Sequence, residues 1–583
     1  MKKILSLLFV ICFLACKQQS SSTKGFKTTF EKSNGTATAT YKETIEYYQQ
    51  LADSYPEITL TEIGETDSGH PLHLVIFNTD GKTDINIIKN SPKNRVLINN
   101  GIHPGESDGI DASMMKLRDI VQSDSLKKSY KNTLINIIPI YNIGGALNRN
   151  SHTRVNQNGP KEYGFRGNAQ NYDLNRDFVK QDTKNAVSFA QIFHTIDPDV
   201  FIDNHVSNGA DYQYAITHLF TQHNKLGGAL GKFIETQMRP ALETSLIIKR
   251  IPITPYVNVW GKTPKEGWTQ FFDSPRYSTG YTTLFNTFGM MVETHMLKPY
   301  KIRVEQTYAL MHSMLEFTEE RSVDIKALRK NAVHEILAKE AYPITFEINP
   351  KKEPATIQFR GYQGTYIDSK VTTGKRMFYD RSKPYLEPVD YYNEYRPKKE
   401  VTIPKAYILK NGWSKILERL DNNQIQYKKF DNDTIILAEY MRIKKYKTRK
   451  NAYEGHYLHY DTEVTKDTVE QQFFKGDIYI PTQQKGIRYI IETLEPEATD
   501  SFFNWNFFDT ILQQKEGYSA YVFEDIAEQF LKDNPEIQKE FEEKLKNDQN
   551  FTKSPRAQLN FIFKKSPYYE KAHNLLPIYK VFK

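Results

Sequence analysis

Cysteine is almost absent from this chain of 583 residues: there are two, Cys12 and Cys16, both close to the N-terminus. A disulfide framework is therefore excluded for the rest of the chain, and a metal there must be held by histidine and carboxylate. An excess of one charge is also missing, because 78 basic residues face 70 acidic ones, for a net charge of +8. The basic run RIKKYKTRK (442–450) is interpreted as a solvated loop or hairpin edge, and no nucleic-acid partner is predicted.

The N-terminal segment MKKILSLLFVICFLAC has the layout of an export signal, with two lysines, an apolar stretch and a small residue before Cys16. The apolar stretch is too short to cross a bilayer as a stable helix. The ending FLAC resembles a bacterial lipobox, whose cysteine is lipidated and becomes the first mature residue. We therefore expect a signal peptide at 1–15, a lipid on Cys16, a polar tether over 16–40, and anchoring in the cell envelope, periplasmic or at the surface. The alternatives are a plain secretory signal or a short N-terminal anchor.

Residues 41–325 alternate between two patterns. Nearly unbroken apolar segments such as RVLINN, LINIIPIYN and DVFIDNH predict strands, and amphipathic segments such as TKNAVSFAQIFHTI predict helices. Strands that are apolar on both faces and alternate with helices indicate an α/β fold. The expectation is a mixed, largely parallel sheet with helices on both faces.

After this region the pattern changes. Alternating segments such as TIQFRGYQGTYIDSK predict a β-rich domain over 326–400, and strands mixed with helices predict an α/β region over 401–583. The role of this C-terminal part is not indicated by the sequence. Trp413, Trp505 and His456 could form a sugar-binding platform, but aromatic side chains more often fill a core, and core packing is the prediction.

Four polar side chains directly follow apolar segments of the α/β region. His103 and Glu106 follow RVLINN, His205 ends VFIDNH, and Glu293 follows GMMV. Because ligands of open α/β sheets bind beyond the carboxyl ends of the strands, these side chains are expected to meet at one edge. Each alone has an ordinary explanation, as a structural histidine or an exposed carboxylate.

Together, His103, Glu106 and His205 supply two nitrogens and one carboxylate. This is the ligand set of catalytic zinc sites, which keep a fourth position open for water, whereas structural zinc favours four ligands including cysteine. The sequence therefore predicts one zinc ion and a hydrolytic reaction.

The segment NYDLNRDF carries further candidates. The planar fork of Arg176, beside Asn175, suits a substrate carboxylate. Asp173 could cap a turn or orient a zinc-bound histidine. Near zinc, Glu293 would be the general base.

The motifs HPGE (103–106), DLNRDF (173–178), DNH (203–205) and MMVETH (290–295), in this order and spacing, resemble those of the zinc carboxypeptidases of the A/B type. The resemblance covers roughly residues 40–325. It implies that His103, Glu106 and His205 bind zinc, that Asn175 and Arg176 grip the terminal carboxylate of the substrate, and that Glu293 is the base. It also implies that Asp173 supports the first histidine.

The resemblance implies two further side chains. An arginine upstream of Asn175 would stabilise the oxyanion; Arg149, Arg154 and Arg166 are available, and Arg154 is preferred because it precedes an Asn/Gly-rich turn. A tyrosine upstream of Glu293 would cover the substrate, and Tyr277 and Tyr281 both remain candidates.

The expected function is a zinc metallocarboxypeptidase of the cell envelope, acting on peptide substrates. One alternative is an amidase, or a peptidase acting on peptidoglycan stem peptides, built on the same scaffold. A second is an inactive envelope protein that binds peptides. The sequence indicates neither the residue preference nor the oligomeric state.

Overall fold

The computed structural model describes residues 25–582. The predicted signal peptide, Cys16 and the first part of the predicted tether lie outside the described residues. Within residues 25–582, no helix has the length and apolar content that crossing a bilayer would require.

An eight-stranded sheet forms the centre of the first region. The strands of this region are β1 (Ile58–Glu65), β2 (Pro71–Phe77), β3 (Asn94–Asn99), β4 (Thr133–Ile138), β5 (Val200–Ser207), β6 (Ile216–Phe220), β7 (Ile253–Pro255), β8 (Trp268–Thr269) and β9 (Phe288–His295). All but β8 belong to the sheet, in the order β1-β2-β4-β3-β5-β9-β6-β7. The central pairs β4/β3, β3/β5 and β5/β9 are parallel, as is β6/β7, whereas β1/β2, β2/β4 and β9/β6 are antiparallel. The predicted mixed, largely parallel sheet is confirmed.

Helices cover both faces of this sheet. They are α1 (Thr29–Lys32), α2 (Tyr41–Ser54), α3 (Ile85–Ile88), α4 (Asp108–Gln122), α5 (Asp124–Lys128), α6 (Ile143–Leu147), α7 (Lys184–Ile196), α8 (His223–Leu226), α9 (Gly228–Phe233), α10 (Arg239–Ile248), α11 (Ser278–Thr283), α12 (Tyr300–Glu320) and α13 (Ser322–Leu337). Successive strand residues point to opposite faces. Val96 of β3 therefore enters one core together with α4 and α12, while Leu97 enters the other together with α7. Such two-sided burial explains why the strands are apolar throughout.

The described part of the predicted tether, residues 25–40, is packed against the α/β region. Phe30 of α1 is buried, and its ring meets Tyr300 of α12 edge-on at 5.7 Å. Glu31 pairs with Arg118 of α4. Residues 25–40 are therefore packed against the fold, which the prediction of a tether did not include. A single buried ring in a polar segment leaves no periodic pattern that could indicate such packing.

The described residues after α13 contribute to three further sheets, one of which includes β8. Their strands are β10 (Ala341–Ile348), β11 (Ala355–Asp368), β12 (Lys375–Tyr392), β13 (Tyr395–Thr402), β14 (Ala406–Leu409), β15 (Lys428–Lys429), β16 (Thr434–Thr448), β17 (His459–Phe473), β18 (Ile478–Pro481) and β19 (Leu575–Val581). Strands β10 and β13 pair with each other, β8 joins the hairpin β11/β12, and the last six form an antiparallel sheet in the order β15-β18-β14-β19-β16-β17. The helices are α14 (Ser414–Asn422), α15 (Ile487–Leu494), α16 (Ala520–Asp533), α17 (Pro535–Asn547), α18 (Gln549–Thr552) and α19 (Pro555–Lys565).

The C-terminal region shares a core with the α/β region. One cluster of buried side chains runs from α7 and α11 into β14 and α15, and the rings of Phe285 and Tyr489 stack across the junction at 5.8 Å. Trp505 is fully buried, and Trp413 packs against Phe508 with ring centroids 4.8 Å apart. Core packing, the interpretation preferred for these tryptophans, is therefore what the structure shows.

Candidate metal centre

The central parallel strands deliver the predicted side chains to one edge of the sheet. His103 and Glu106 lie in the turn between β3 and α4, His205 lies in β5, and Glu293 lies in β9. His205 and Glu293 are register partners on neighbouring strands, so they project from the same face of the sheet. All four are buried.

His103, Glu106 and His205 converge on one point. One ligand atom from each lies within 4.8 Å of the others. The Nδ1 atoms of the two histidines lie 3.2 Å from different carboxylate oxygens of Glu106. Among the described residues this is the only such group of histidine and carboxylate side chains.

Carboxylates hold the far side of both imidazole rings. Nε2 of His103 lies 2.9 Å from Oδ1 of Asp173, and Nε2 of His205 lies 2.8 Å from Oδ2 of Asp203. Asp203 was not among the predicted site residues, although its position two before His205 in a strand places both on the same face. Such carboxylates fix the tautomer and orientation of metal-binding histidines.

The geometry fits a divalent metal ion. With Nε2 of each ring bound to a carboxylate, the Nδ1 lone pairs are directed toward Glu106. Nδ1 of His103 is buried and, although it lies 3.2 Å from Oε1 of Glu106, it makes no hydrogen bond to that oxygen or to another described residue, which is costly unless a ligand occupies it. Two imidazole nitrogens and one carboxylate match a zinc site with an open position.

Glu293 borders the same cavity with an unsatisfied carboxyl group. Its Oε2 is buried and has no hydrogen-bond partner within residues 25–582. Burial raises the pKa of Glu293 to about 8, and the carboxylates of Glu106 and Asp203 act in the same direction, against the attraction of His205. A carboxyl group in this setting can exchange a proton near neutral pH.

Asn175 and Arg176 form another part of the cavity wall. They lie in a short 3₁₀ turn, Leu174–Arg176, that is capped by Asp173. Oδ1 of Asn175 accepts a hydrogen bond from the backbone N–H of Ser278 at 3.2 Å. The Arg176 guanidinium lies 4.4 Å from the ring centre of Tyr277, so its planar fork is held by stacking on one face.

The three candidate arginines have different surroundings. Arg154 lines the cavity and donates from Nη1 to Oε1 of Glu106 at 3.0 Å. Arg166 is half exposed, lies 3.6 Å from the same oxygen, and is bonded to Asp173. Arg149 instead donates to backbone carbonyls of 38, 39 and 162, away from the cavity lining. The structure therefore brings Arg154 and Arg166 to the candidate centre.

The two candidate tyrosines also separate. Tyr277 lines the cavity beside Arg176. Tyr281 is fully buried in the shared core, where its hydroxyl donates to Oδ1 of Asn423 at 2.6 Å. Tyr277 directly precedes α11, and Tyr281 lies within it, four positions further along. The two side chains have different surroundings, and Tyr281 is not part of the cavity lining.

The cavity has a volume of about 610 Å³, within the range of small-molecule sites. Several of its lining residues were missed by the sequence analysis: Tyr256, Asn258, Trp260, Phe271 and Asp273. They come from the loops between β7 and α11, which carry no motif. Burial raises the pKa of Asp273 to about 6.

No protein-family model matches the chain, and no curated protein matches it either. Solved structures with a similar chain path include a metallo-carboxypeptidase from Burkholderia cenocepacia, with 16% identity over 49% of this chain and 70% of that one, at a TM-score of 0.36. Another is a metallo-carboxypeptidase from Pseudomonas aeruginosa in complex with (2-guanidinoethylmercapto)succinic acid, with 13% identity over 49% and 69%, at 0.36. A third is carboxypeptidase A from Helicoverpa armigera, with 14% identity over 51% and 74%, at 0.34. Likeness at this level establishes neither a family nor an activity.

Proposed function

We propose that the protein is a zinc-dependent metallocarboxypeptidase that hydrolyses the C-terminal peptide bond of peptides. The observation that carries this proposal is the meeting, in one cavity, of the His103–Glu106–His205 group with the buried carboxyl group of Glu293. Arg176 lies in the wall of the same cavity. A metal site, a base and a cation for the substrate carboxylate are the three parts that such a reaction needs.

His103, Glu106 and His205 would hold the metal ion, with Asp173 and Asp203 orienting the rings. Bound there, zinc would polarise the scissile carbonyl and lower the pKa of water toward neutrality. Glu293 would accept a proton from the attacking water and return it to the leaving amine. Arg154, at the rim of the ligand group, would donate to the oxyanion; loss of one such donor typically reduces turnover by roughly 10²–10³-fold.

The preference for a free C-terminus would come from Arg176 and Asn175. A guanidinium binds a carboxylate through two parallel hydrogen bonds. Tyr277, stacked on Arg176, would cover the terminal residue. Tyr281 has no part in this proposal because its hydroxyl is committed to Asn423 in the core.

The proposal is tested with three substrates: a short L-peptide with a free carboxylate, the same peptide as its C-terminal amide, and a purified stem peptide containing D-residues. We expect release of the C-terminal residue from the first, loss of activity with a chelator and recovery with zinc. Equal rates with and without chelator would contradict the metal. Faster hydrolysis of the stem peptide or the amide would instead identify the alternative peptidase or amidase. Bound zinc without turnover of any substrate would identify the peptide-binding alternative.

We also propose export and lipid anchoring through Cys16, which rest on the N-terminal sequence alone. Mass spectrometry of the mature protein from a bacterial membrane fraction should find Cys16 as a lipidated first residue. An unmodified N-terminus at another position would contradict lipidation.

A further inference from the structure

A tight hairpin of the C-terminal region reaches the wall of the candidate centre. Between β16 and β17, Tyr453 and His456 exchange two backbone hydrogen bonds, of 2.7 and 3.1 Å. The two residues between them, Glu454 and Gly455, have φ of 50° and 78°. Two positive φ angles in a two-residue loop define a type I′ turn. Glu454 adopts here a conformation that side-chain-bearing residues seldom occupy.

The hairpin tip, Tyr453–His456, is joined to the segment that carries the predicted substrate-binding pair. Oε2 of Glu454 accepts a hydrogen bond from the backbone N–H of Asp173 at 2.8 Å. Nε2 of His456 lies 2.7 Å from Oδ2 of Asp182. A Cβ at Gly455 would lie 2.7 Å from the hydroxyl of Tyr172, so the approach is as close as a glycine allows.

Tyr453 itself lies close to two arginines, Arg276 and the cavity residue Arg176. The centre of its ring is 5.6 Å from the Arg276 guanidinium. Burial lowers the pKa of Arg176, but the charge of Asp173, the neighbouring Tyr277 and Tyr453 hydroxyls and a side-chain hydrogen bond to Tyr453 raise it. Arg176 thus lies among Asp173, Tyr277 and Tyr453. The hairpin tip supplies Tyr453 itself and contacts Asp173 through Glu454.

The tip is supported from behind. The rings of Tyr453 and Trp505 stack with an angle of 19° between their planes and centroids 6.1 Å apart. Trp505 is fully buried, and the guanidinium of Arg449 lies 4.6 Å from the centre of the Tyr453 ring. The tip is therefore held by contacts of its own, in addition to those with the segment that carries Arg176.

We propose that the hairpin tip Tyr453–His456 positions Asp173, Asn175 and Arg176, so that the C-terminal region completes the grip on the substrate carboxylate. This inference rests on the proposed carboxypeptidase function. It makes Tyr453 and Glu454 positioning residues, because neither lines the cavity itself. It also assigns a role to the C-terminal region beyond covering the sheet.

Steady-state kinetics of the full chain test the proposal with matched pairs of variants. Tyr453→Phe removes only the hydroxyl, and Tyr457→Phe removes an exposed hydroxyl four residues along. Glu454→Ala removes the acceptor for Asp173 N–H, whereas Glu454→Gln keeps one. For a free-acid peptide we expect KM to rise roughly tenfold in Tyr453→Phe and Glu454→Ala, the scale of one hydrogen bond to a charged group. We expect kcat within about twofold of the wild type, and the two control variants should behave like the wild type.

The substrate comparison separates positioning from general damage. The preference for the free acid over the C-terminal amide, as a ratio of kcat/KM, should shrink roughly tenfold in the same two variants. Equal losses on acid and amide, or an unchanged KM, would overturn the proposal. A wild-type enzyme without any preference for the free acid would instead contradict the proposed carboxypeptidase function.

A measurement without turnover tests positioning independently. An arginine-specific dicarbonyl reagent, followed by mass spectrometry of the peptide that contains Arg176, reports how well this guanidinium is held. We expect faster labelling of Arg176 in Tyr453→Phe and Glu454→Ala than in the wild type, Tyr457→Phe and Glu454→Gln. Identical labelling rates in all five proteins would overturn the proposal whatever the substrate proves to be.

Discussion

The two large sheets of this protein differ in where they place polar side chains. In the eight-stranded sheet the central strands are parallel, so their carboxyl ends meet at one edge, where His103, Glu106, His205 and Glu293 gather. The six-stranded sheet is antiparallel in every pair, so consecutive strand ends fall on opposite edges. Among the described residues, no histidine and carboxylate group comparable to the first is found there.

Buried charges show the same difference. Glu495, which directly follows α15 and packs against the antiparallel sheet, contacts Nζ of Lys580 and the hydroxyl of Tyr407 through Oε1, both at 2.7 Å, while its Oε2 has no hydrogen-bond partner among the described residues. At the edge of the parallel strands, Nδ1 of His103 and Oε2 of Glu293 are likewise buried without a hydrogen-bond partner among the described residues, but both residues line the cavity. Paired charges stabilise a fold, whereas unpaired polar atoms at a cavity indicate a site for a ligand.

The largest effect is expected from Glu293→Gln, which keeps the shape of the side chain and removes the proposed base. Turnover should fall by roughly 10²–10⁴-fold, with zinc content unchanged. Glu495→Gln is the matched control, because Glu495 is a buried carboxylate packed against the other sheet, and it should leave kcat unchanged. An equal loss of turnover in both variants, with both still folded, would show that Glu293 and Glu495 do not differ in function.

A large effect on stability is expected from Asp500→Asn at the junction of the two regions. Asp500 pairs with Arg276 at 2.7 Å, and both are buried. Removing one partner of a buried pair typically costs about 3–5 kcal/mol of the free energy of unfolding, to be measured by denaturant titration at neutral pH.

The same pair predicts a pH dependence. Burial works against the charged form of Asp500, but Arg276 outweighs it and lowers the pKa below the ordinary 3.8. The pair therefore contributes stability above about pH 4, which is lost as pH falls through the lowered pKa. The gap in unfolding free energy between the wild type and Asp500→Asn should narrow under acid. A gap independent of pH would show that charge is not its source.

A smaller effect, on metal affinity, is expected from Asp173→Asn and Asp203→Asn. Each replaces a carboxylate that accepts from a histidine of the ligand group, and such changes typically weaken metal binding by roughly 10–100-fold. Competition with a chelator of known affinity measures this. Asp324→Asn, on the protein surface, is the control; affinities equal to the control would show that the two carboxylates do not support the ligands.

The smallest effect is expected from Tyr281→Phe. Losing the hydrogen bond to Asn423 should reduce the free energy of unfolding by about 1 kcal/mol, with kcat and KM unchanged. A marked loss of activity at unchanged stability would show that Tyr281 acts in the site after all.

The sequence was sufficient to predict that the side chains of the candidate site that follow buried strands lie close together. An apolar run ending in His103, and others ending in His205 and Glu293, mark strand ends directly, and parallel pairing brings such ends together. It was also sufficient for the α/β sheet itself, whose strands are apolar on both faces.

Other parts could not be predicted because they depend on contacts distant in sequence. Glu454 contacts the segment of Asp173 from 281 positions away, and no periodic pattern predicts such a contact. Phe271 and Asp273 lie in an irregular loop, and Tyr277 and Tyr281 could be told apart only once the direction of α11 was known.

Anomalous diffraction at the zinc absorption edge, on crystals of the purified full chain, tests the central claim most directly. We predict one strong peak within bonding distance, about 2.0–2.2 Å, of Nδ1 of His103, Nδ1 of His205 and a carboxylate oxygen of Glu106. A zinc-loaded protein with no peak there, or with its peak at other residues, would contradict the account.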